Sequence, residues 1–126
     1  MLITEEEYAI FEKVVYKNNL DKFKQMVLNL KDINIVNKYG WTLLHITIRR
    51  NRQDMVEFLL ENGADINKID GVGWTPLMEA IMDEMTSLVK LLVEKGANKS
   101  IANARGATAP MLAQKFGRTD MFEYLG

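Results

Sequence analysis

A chain of 126 residues with 48% hydrophobic and 26% charged content reads as one globular domain with enough apolar material for a core, which excludes disordered and fibrous architectures. A net charge of -1 argues against bulk electrostatic attraction to nucleic acid or an anionic membrane. With no cysteine there is neither a disulfide framework nor a thiolate metal site, a composition that fits a reducing compartment.

The N-terminal stretch MLITEEEYAIFEK is acidic where a signal peptide would be basic, and no apolar run approaches the length of a membrane span, so the expectation is a soluble, cytoplasmic protein. Within it, Thr4 with Glu7 three residues on has capping-box spacing and predicts a helix start. The three glutamates complement the positive end of that helix. Next comes NLKDIN, Asn29 to Asn34, and then NKYGWTLLHIT, Asn37 to Thr47. Met55, Phe58 and Leu59 follow at helical spacing, and ENGADIN, Glu61 to Asn67, closes the stretch with Gly63 where a helix ends in a left-handed residue. The same order then returns. DGVGWTPLMEA (Asp70 to Ala80) leads to Leu88, Leu91 and Leu92 and to EKGANKS (Glu94 to Ser100) with Gly96, and NARGATAPMLA (Asn103 to Ala113) begins a further round.

Two phased series therefore share one period. Gly40, Gly73 and Gly106 stand thirty-three residues apart, each followed two positions later by Thr42, Thr75 or Thr108. NLKDIN is the degenerate member of the second series, with Leu30 in place of glycine. Each period reads as helix, turn, helix, loop. Between the helices, Asn18, Asn51 and Gly117 tolerate positive φ, whereas Glu84 at the same place does not, so that turn is expected to be strained or differently shaped.

These residues resemble the ankyrin repeat, whose pattern runs D-x-x-G-x-T-P-L-H-x-A and then L-L-x-x-G-A-D-x-N. The resemblance covers nearly the whole chain as a single domain, 1–126, with a divergent first repeat at about 4–36, then 37–69, 70–102 and a shortened one at 103–126. It implies an all-α solenoid of stacked helix-turn-helix units with hairpin-like finger loops beside a concave surface. The first repeat's departure from G-x-T-P-L-H suits a capping repeat that shows one polar face to water. Only Thr42 and His45 keep the T-x-x-H pair that knits the turn to the first helix. Met78 and Met111 replace the histidine, so repeats three and four are expected to be softer there. Pro76 sits at a first-turn position, and Pro110 is displaced from it by one residue.

Catalytic chemistry finds little support. His45, the lone histidine, falls at the repeat's structural position; Ser87 and Ser100 fall near a helix start and in a loop, and no triad assembles. Glu57 and Glu61 lie one turn apart on the second helix, where a solvated face is the simpler reading. GVGWTP lacks the glycine spacing and the GK[ST] ending of a phosphate loop. No carboxylate cluster has metal-loop spacing, so no metal or cofactor is expected and the chain reads as a non-enzyme.

The resemblance instead implies recognition of another protein, through the fingers and the exposed side of the first helices. Those positions hold Lys17, Lys38, Tyr39, Trp41, Arg49, Arg50, Val72, Trp74, Met82, Asp83, Arg105 and Phe116, together with Tyr16, Ala104, Ala107 and Lys115. Tyr, Trp, Arg and Met are the types that anchor interfaces. Six of the cations (Lys17, Lys38, Arg49, Arg50, Arg105 and Lys115) face Asp83 alone, which leaves the rest of the molecule acidic, including Asp54, Glu57, Glu61, Glu94 and Glu123. A monomer that binds a partner with an acidic and apolar surface is the expectation, with nucleic acid the disfavoured ligand. Preference for Lys over Arg with abundant Asn and Ile points to an AT-rich genome such as a bacterial one, where small ankyrin proteins can resemble immunity proteins that neutralise a cognate toxin. A basic nuclease toxin would have to be met by the acidic outer helices. The alternative is an adaptor or inhibitor subunit, like small ankyrin proteins that block kinases.

Overall fold

Thr4 opens the first helix as its spacing predicts. In the structure, a computed structural model describing residues 4–126, Thr4 Oγ1 accepts a hydrogen bond from the Glu7 N–H at 3.1 Å. Glu7 Oε1 accepts from the Thr4 N–H at 3.4 Å, completing the capping box. Helix α1 (Glu5–Tyr16) buries Tyr8, Phe11, Val14 and Val15, a stripe at helical spacing. Thirty-three residues before the start of the next first helix lies Ile10, yet α1 begins five residues earlier, so the stretch in register with a finger is helical here. Tyr8 uses that position: its hydroxyl donates to the Trp41 carbonyl at 2.7 Å. Burial, with Glu12 and Glu5 adding to it, holds the Tyr8 hydroxyl well above the usual tyrosine pKa, so it remains a donor.

The described residues form two compact units, the first ending at Asp65 and the second beginning at Ile66. In the first, α1 and α2 (Leu20–Leu28) pair antiparallel, as do α3 (Leu43–Arg49) and α4 (Gln53–Glu61), with α1 packed on α3 and α2 on α4. Phe11 meets Phe23 edge to face, ring centroids 6.3 Å apart. In the second, α5 (Pro76–Met82) pairs with α6 (Thr86–Glu94), and α7 (Ala109–Lys115) is followed by a 3₁₀ turn (Thr119–Met121) and α8 (Phe122–Leu125). There α5 packs on α7, and α6 on the 3₁₀ turn and α8. The architecture is all-α, built of stacked helical pairs, and the only β feature among the described residues is an isolated antiparallel bridge between Val36 and Thr42.

The left-handed positions fall where the period puts them: Asn18 and Asn51 at φ 56°, Gly117 at 68°, and Gly63 and Gly96 after α4 and α6 at 92° and 94°. Glu84 adopts the same conformation, φ 59°, although its Cβ crowds the carbonyl there. Its carboxylate meets Arg118 Nη1 at 3.1 Å, but the Glu84 side chain is exposed, so this pair contributes little. Glu84→Gly is therefore expected to leave stability unchanged or raise it by up to about 1 kcal/mol. Denaturant melts check this, and a larger loss would mean that the ion pair outweighs the backbone strain.

The first-helix caps weaken along the chain, and the full reciprocal box is made where T-x-x-H is kept. Thr42 Oγ1 lies 2.8 Å from His45 Nδ1 and accepts from the His45 N–H at 3.3 Å, while Nδ1 also accepts from the Thr42 N–H at 3.2 Å. Thr75 retains half of this arrangement, accepting from the Met78 N–H at 3.1 Å, and Thr108 makes no side-chain cap bond. Thr42 and His45 are both buried. His45→Ala is expected to cost about 1 to 3 kcal/mol in a denaturant melt, because the buried Thr42 N–H and hydroxyl lose the imidazole nitrogen as partner. An unchanged melt would remove His45 from the scaffold.

Two arginines tie the helical pairs together within each unit. Arg52, before α4, donates from Nε to the Val15 carbonyl at 2.9 Å and from Nη2 to the Tyr16 carbonyl at 2.8 Å. Arg118 does the same sixty-six residues later, to Ile81 at 3.0 Å and Met82 at 3.1 Å, and adds the Phe116 carbonyl at 3.1 Å from Nη1. Each guanidinium satisfies carbonyls at the C-terminus of a first helix, where helical partners run out and the dipole favours a cation.

Candidate partner-binding site

The fingers owe their shape to one side chain each. Asn37 Oδ1 accepts from the N–H groups of Tyr39 (2.9 Å) and Trp41 (3.0 Å), and the Asn37 N–H donates to the Trp41 carbonyl. Asp70 does the same with Val72 (3.0 Å) and Trp74 (2.9 Å), and Asn103 with Arg105 (2.9 Å) and Ala107 (3.0 Å). A polar oxygen thus sets the turn from inside, as Asx residues do in loops. The glycine at each tip has positive φ. At Gly73 a side chain is excluded twice over, because φ is 87° and a Cβ would lie 3.0 Å from the backbone nitrogen of Ala104.

In the first unit the finger and the end of α3 bring aromatic rings and cations together. Trp41 is half-buried and Tyr39 is exposed, with ring centroids 5.2 Å apart. Arg49, the last residue of α3, stacks its guanidinium 4.2 Å from the Trp41 centroid, and Lys38 Nζ stands 5.2 Å from that of Tyr39. Arg50, the C-cap, lies 4.8 Å over Tyr16 at the end of α1. Trp41, Ile46, Arg49, Arg50 and Glu12 line a hollow of about 340 Å³. Stacking on a ring holds a guanidinium flat against apolar surface while its N–H donors point outward from its edge. Of the residues expected here, only Lys17 stands apart, as the exposed C-cap of α1 that is not in the lining of this hollow. Glu12 was not among the expected site residues; no repeat feature singles out that position.

In the second unit, Val72, Trp74 and Arg105 from two fingers and Met82, Lys115 and Phe116 from two helix ends line a cleft of about 820 Å³. Asp83, the exposed C-cap of α5, is not among its lining residues. Met111 is, and sequence reasoning placed it only as a substitute for the repeat's histidine. In register with it, Met78 is buried at 1% exposure while Met111 is 55% exposed, a difference that depends on what packs over each position.

Glu57 and Glu61 lie on α4 as expected, and Ser87 is the second residue of α6. Among the described residues no three His, Cys, Asp or Glu side chains stand where they could hold a metal ion, and no helix is long and apolar enough to cross a membrane.

A family model described as ankyrin repeats (3 copies) matches residues 11–103 and 64–126. A search of curated proteins finds no significant match.

Proposed function

Since the chain belongs to the ankyrin-repeat family, a non-catalytic fold that serves protein–protein interaction, we propose that it is a non-enzymatic binding protein. On this reading it engages a partner protein through its fingers and first-helix ends and works by holding or occluding that partner. The observation that carries this reading is the set of cations standing over aromatic rings in the first unit: Arg49 on Trp41, Arg50 on Tyr16 and Lys38 on Tyr39. Paired in this way, the cations set positive charge beside apolar area, the combination that recognises a surface carrying both carboxylates and hydrophobic side chains. A phosphate backbone would use the cations but wants a longer basic track than a chain of net charge -1 supplies. Neutralising a toxin as an immunity protein, or silencing an enzyme as an inhibitor subunit, is a use to which such a binder lends itself.

The test begins with affinity capture and identification of the retained protein, followed by binding kinetics on purified components. Reversing Arg49 and Arg50 to glutamate is expected to slow association by about tenfold or more at low salt and to flatten its salt dependence, with a smaller effect on dissociation. Association that ignores both reversals while responding to changes at Glu57 and Glu61 would move the site to the outer helices.

A further inference from the structure

The cleft of the second unit has a different chemistry from the stacked cations of the first. Ten large apolar side chains stand exposed among the described residues, and three of them, Val72 (61%), Met111 (55%) and Phe116 (42%), line this one cleft. Scattered exposed apolar residues need no explanation, but a cluster of them marks a contact surface. Trp74 and Met82 extend the apolar lining, and the unbranched methionines can adapt to the shape of an inserted group. The only charged side chains in the lining are Arg105 and Lys115, both exposed, and no carboxylate is among them. Lys115 Nζ stands 5.6 Å from the Phe116 centroid, so one cation overhangs an apolar wall.

Two walls of this cleft are ordered before anything enters. Asp70 holds the N–H groups of Val72 and Trp74, and Asn103 holds those of Arg105 and Ala107. The backbones of these two fingers approach so closely that a Cβ on Gly73 would lie 3.0 Å from the Ala104 nitrogen. A preset wall lowers the ordering cost of binding.

We propose that this cleft takes a segment of a partner protein in which a bulky apolar side chain is followed or preceded within a few residues by aspartate or glutamate. The apolar side chain fills the space between Val72, Trp74, Met111 and Phe116, and the carboxylate pairs with Arg105 or Lys115. The charge pattern selects the occupant: an apolar lining with two cations and no anion repels a basic segment and gives a carboxylate a charge-assisted bond about twice as strong as a neutral group receives. This rests on the reading of the chain as a protein-binding module and adds to it the chemistry of one occupant.

The test pans a display library of random twelve-residue peptides on the full chain, then measures the synthesised hits by fluorescence polarisation. The proteins are the parent, Val72→Asp, Met111→Asp, the Arg105→Glu/Lys115→Glu pair, Arg50→Glu to detect hits seated on the stacked cations of the first unit, and Lys22→Glu on α2 as the control. All the substituted side chains are exposed, and melting temperatures verify that each variant folds. The expected consensus is an apolar residue next to acidic ones. Val72→Asp and Met111→Asp should each weaken binding by about tenfold or more. The charge-reversed pair should weaken it by several-fold, less so at high salt, and Lys22→Glu should leave it unchanged. A consensus without acidic residues, or hits that ignore both aspartate variants, would overturn the proposal. Hits that respond to Arg50→Glu instead would overturn it while leaving the protein-binding reading intact, and no enrichment at either place would count against both. Concentration-dependent dimerisation of the parent, abolished by Val72→Asp in sedimentation, would assign the cleft to a second copy and also overturn it.

Discussion

With Trp41 and Trp74 both replaced by alanine, the protein is expected to remain folded and to bind its partner about 4 kcal/mol or more less tightly, since truncating an aromatic anchor in an interface costs about 2 kcal/mol or more. The fold should tolerate the change because the hydrogen bonds that shape each finger are made by backbone atoms. The N–H of Trp41 is held by Asn37 and that of Trp74 by Asp70, and the Trp41 carbonyl accepts from Tyr8. Alanine keeps all of these bonds. What it removes is the half-buried ring, and with the Trp41 ring goes the surface on which Arg49 stacks. Calorimetric melts and titrations on the same samples separate the two roles. A sharp fall in melting temperature, with unchanged affinity in the molecules that remain folded, would make the rings part of the scaffold and end their assignment as anchors.

Arg118→Ala is expected to destabilise the protein by about 3 kcal/mol, the largest single-site loss we anticipate outside the apolar core. The change removes donors to three carbonyls, those of Ile81, Met82 and Phe116, and hydrogen bonds to charged groups contribute about 1.5 to 3 kcal/mol each before solvent replaces part of them. Arg52→Ala loses two such bonds and should cost less, about 2 kcal/mol. The ion pair to Glu84 is not the source of the effect, since the Glu84 side chain is 69% exposed; Glu84→Gln should barely move the melt. Denaturant midpoints for the three variants test the order. If Arg118→Ala and Glu84→Gln melt together, the charge pair matters and the carbonyl clasp does not.

Much of this protein is legible in its sequence because much of it is decided within a few residues. The box of Thr4 with Glu7 and the pairing of Thr42 with His45 each close over three residues. The left-handed turns at Asn18, Asn51 and Gly117, and the helix ends at Gly63 and Gly96, are conformational properties of single positions. Repetition at a fixed period then multiplies each local signal, which is why the all-α arrangement and the inter-helix turns can be read from residue types and spacing alone. Glu84 shows the limit of that reading: the period assigned its position, but the side chain gave no reason to expect φ 59°.

What only the tertiary structure decided are the contacts made across about one repeat or more. Tyr8 reaches Trp41 over 33 residues, Arg52 reaches Tyr16 over 36, and Arg118 reaches Met82 over 36. No local pattern announces them, because each depends on where a neighbouring helix end or finger comes to lie. The same holds for the candidate site. Fingers and helix ends could be named from the period, but whether Arg50 lies over Tyr16, and whether a methionine is covered like Met78 or open like Met111, is settled by packing. The sequence by itself determined the repeating unit and its caps, since their energies are local. The clasps, the stacking of Arg50 on Tyr16 and the cleft came from tertiary structure, since their energies exist only once separate elements are brought together.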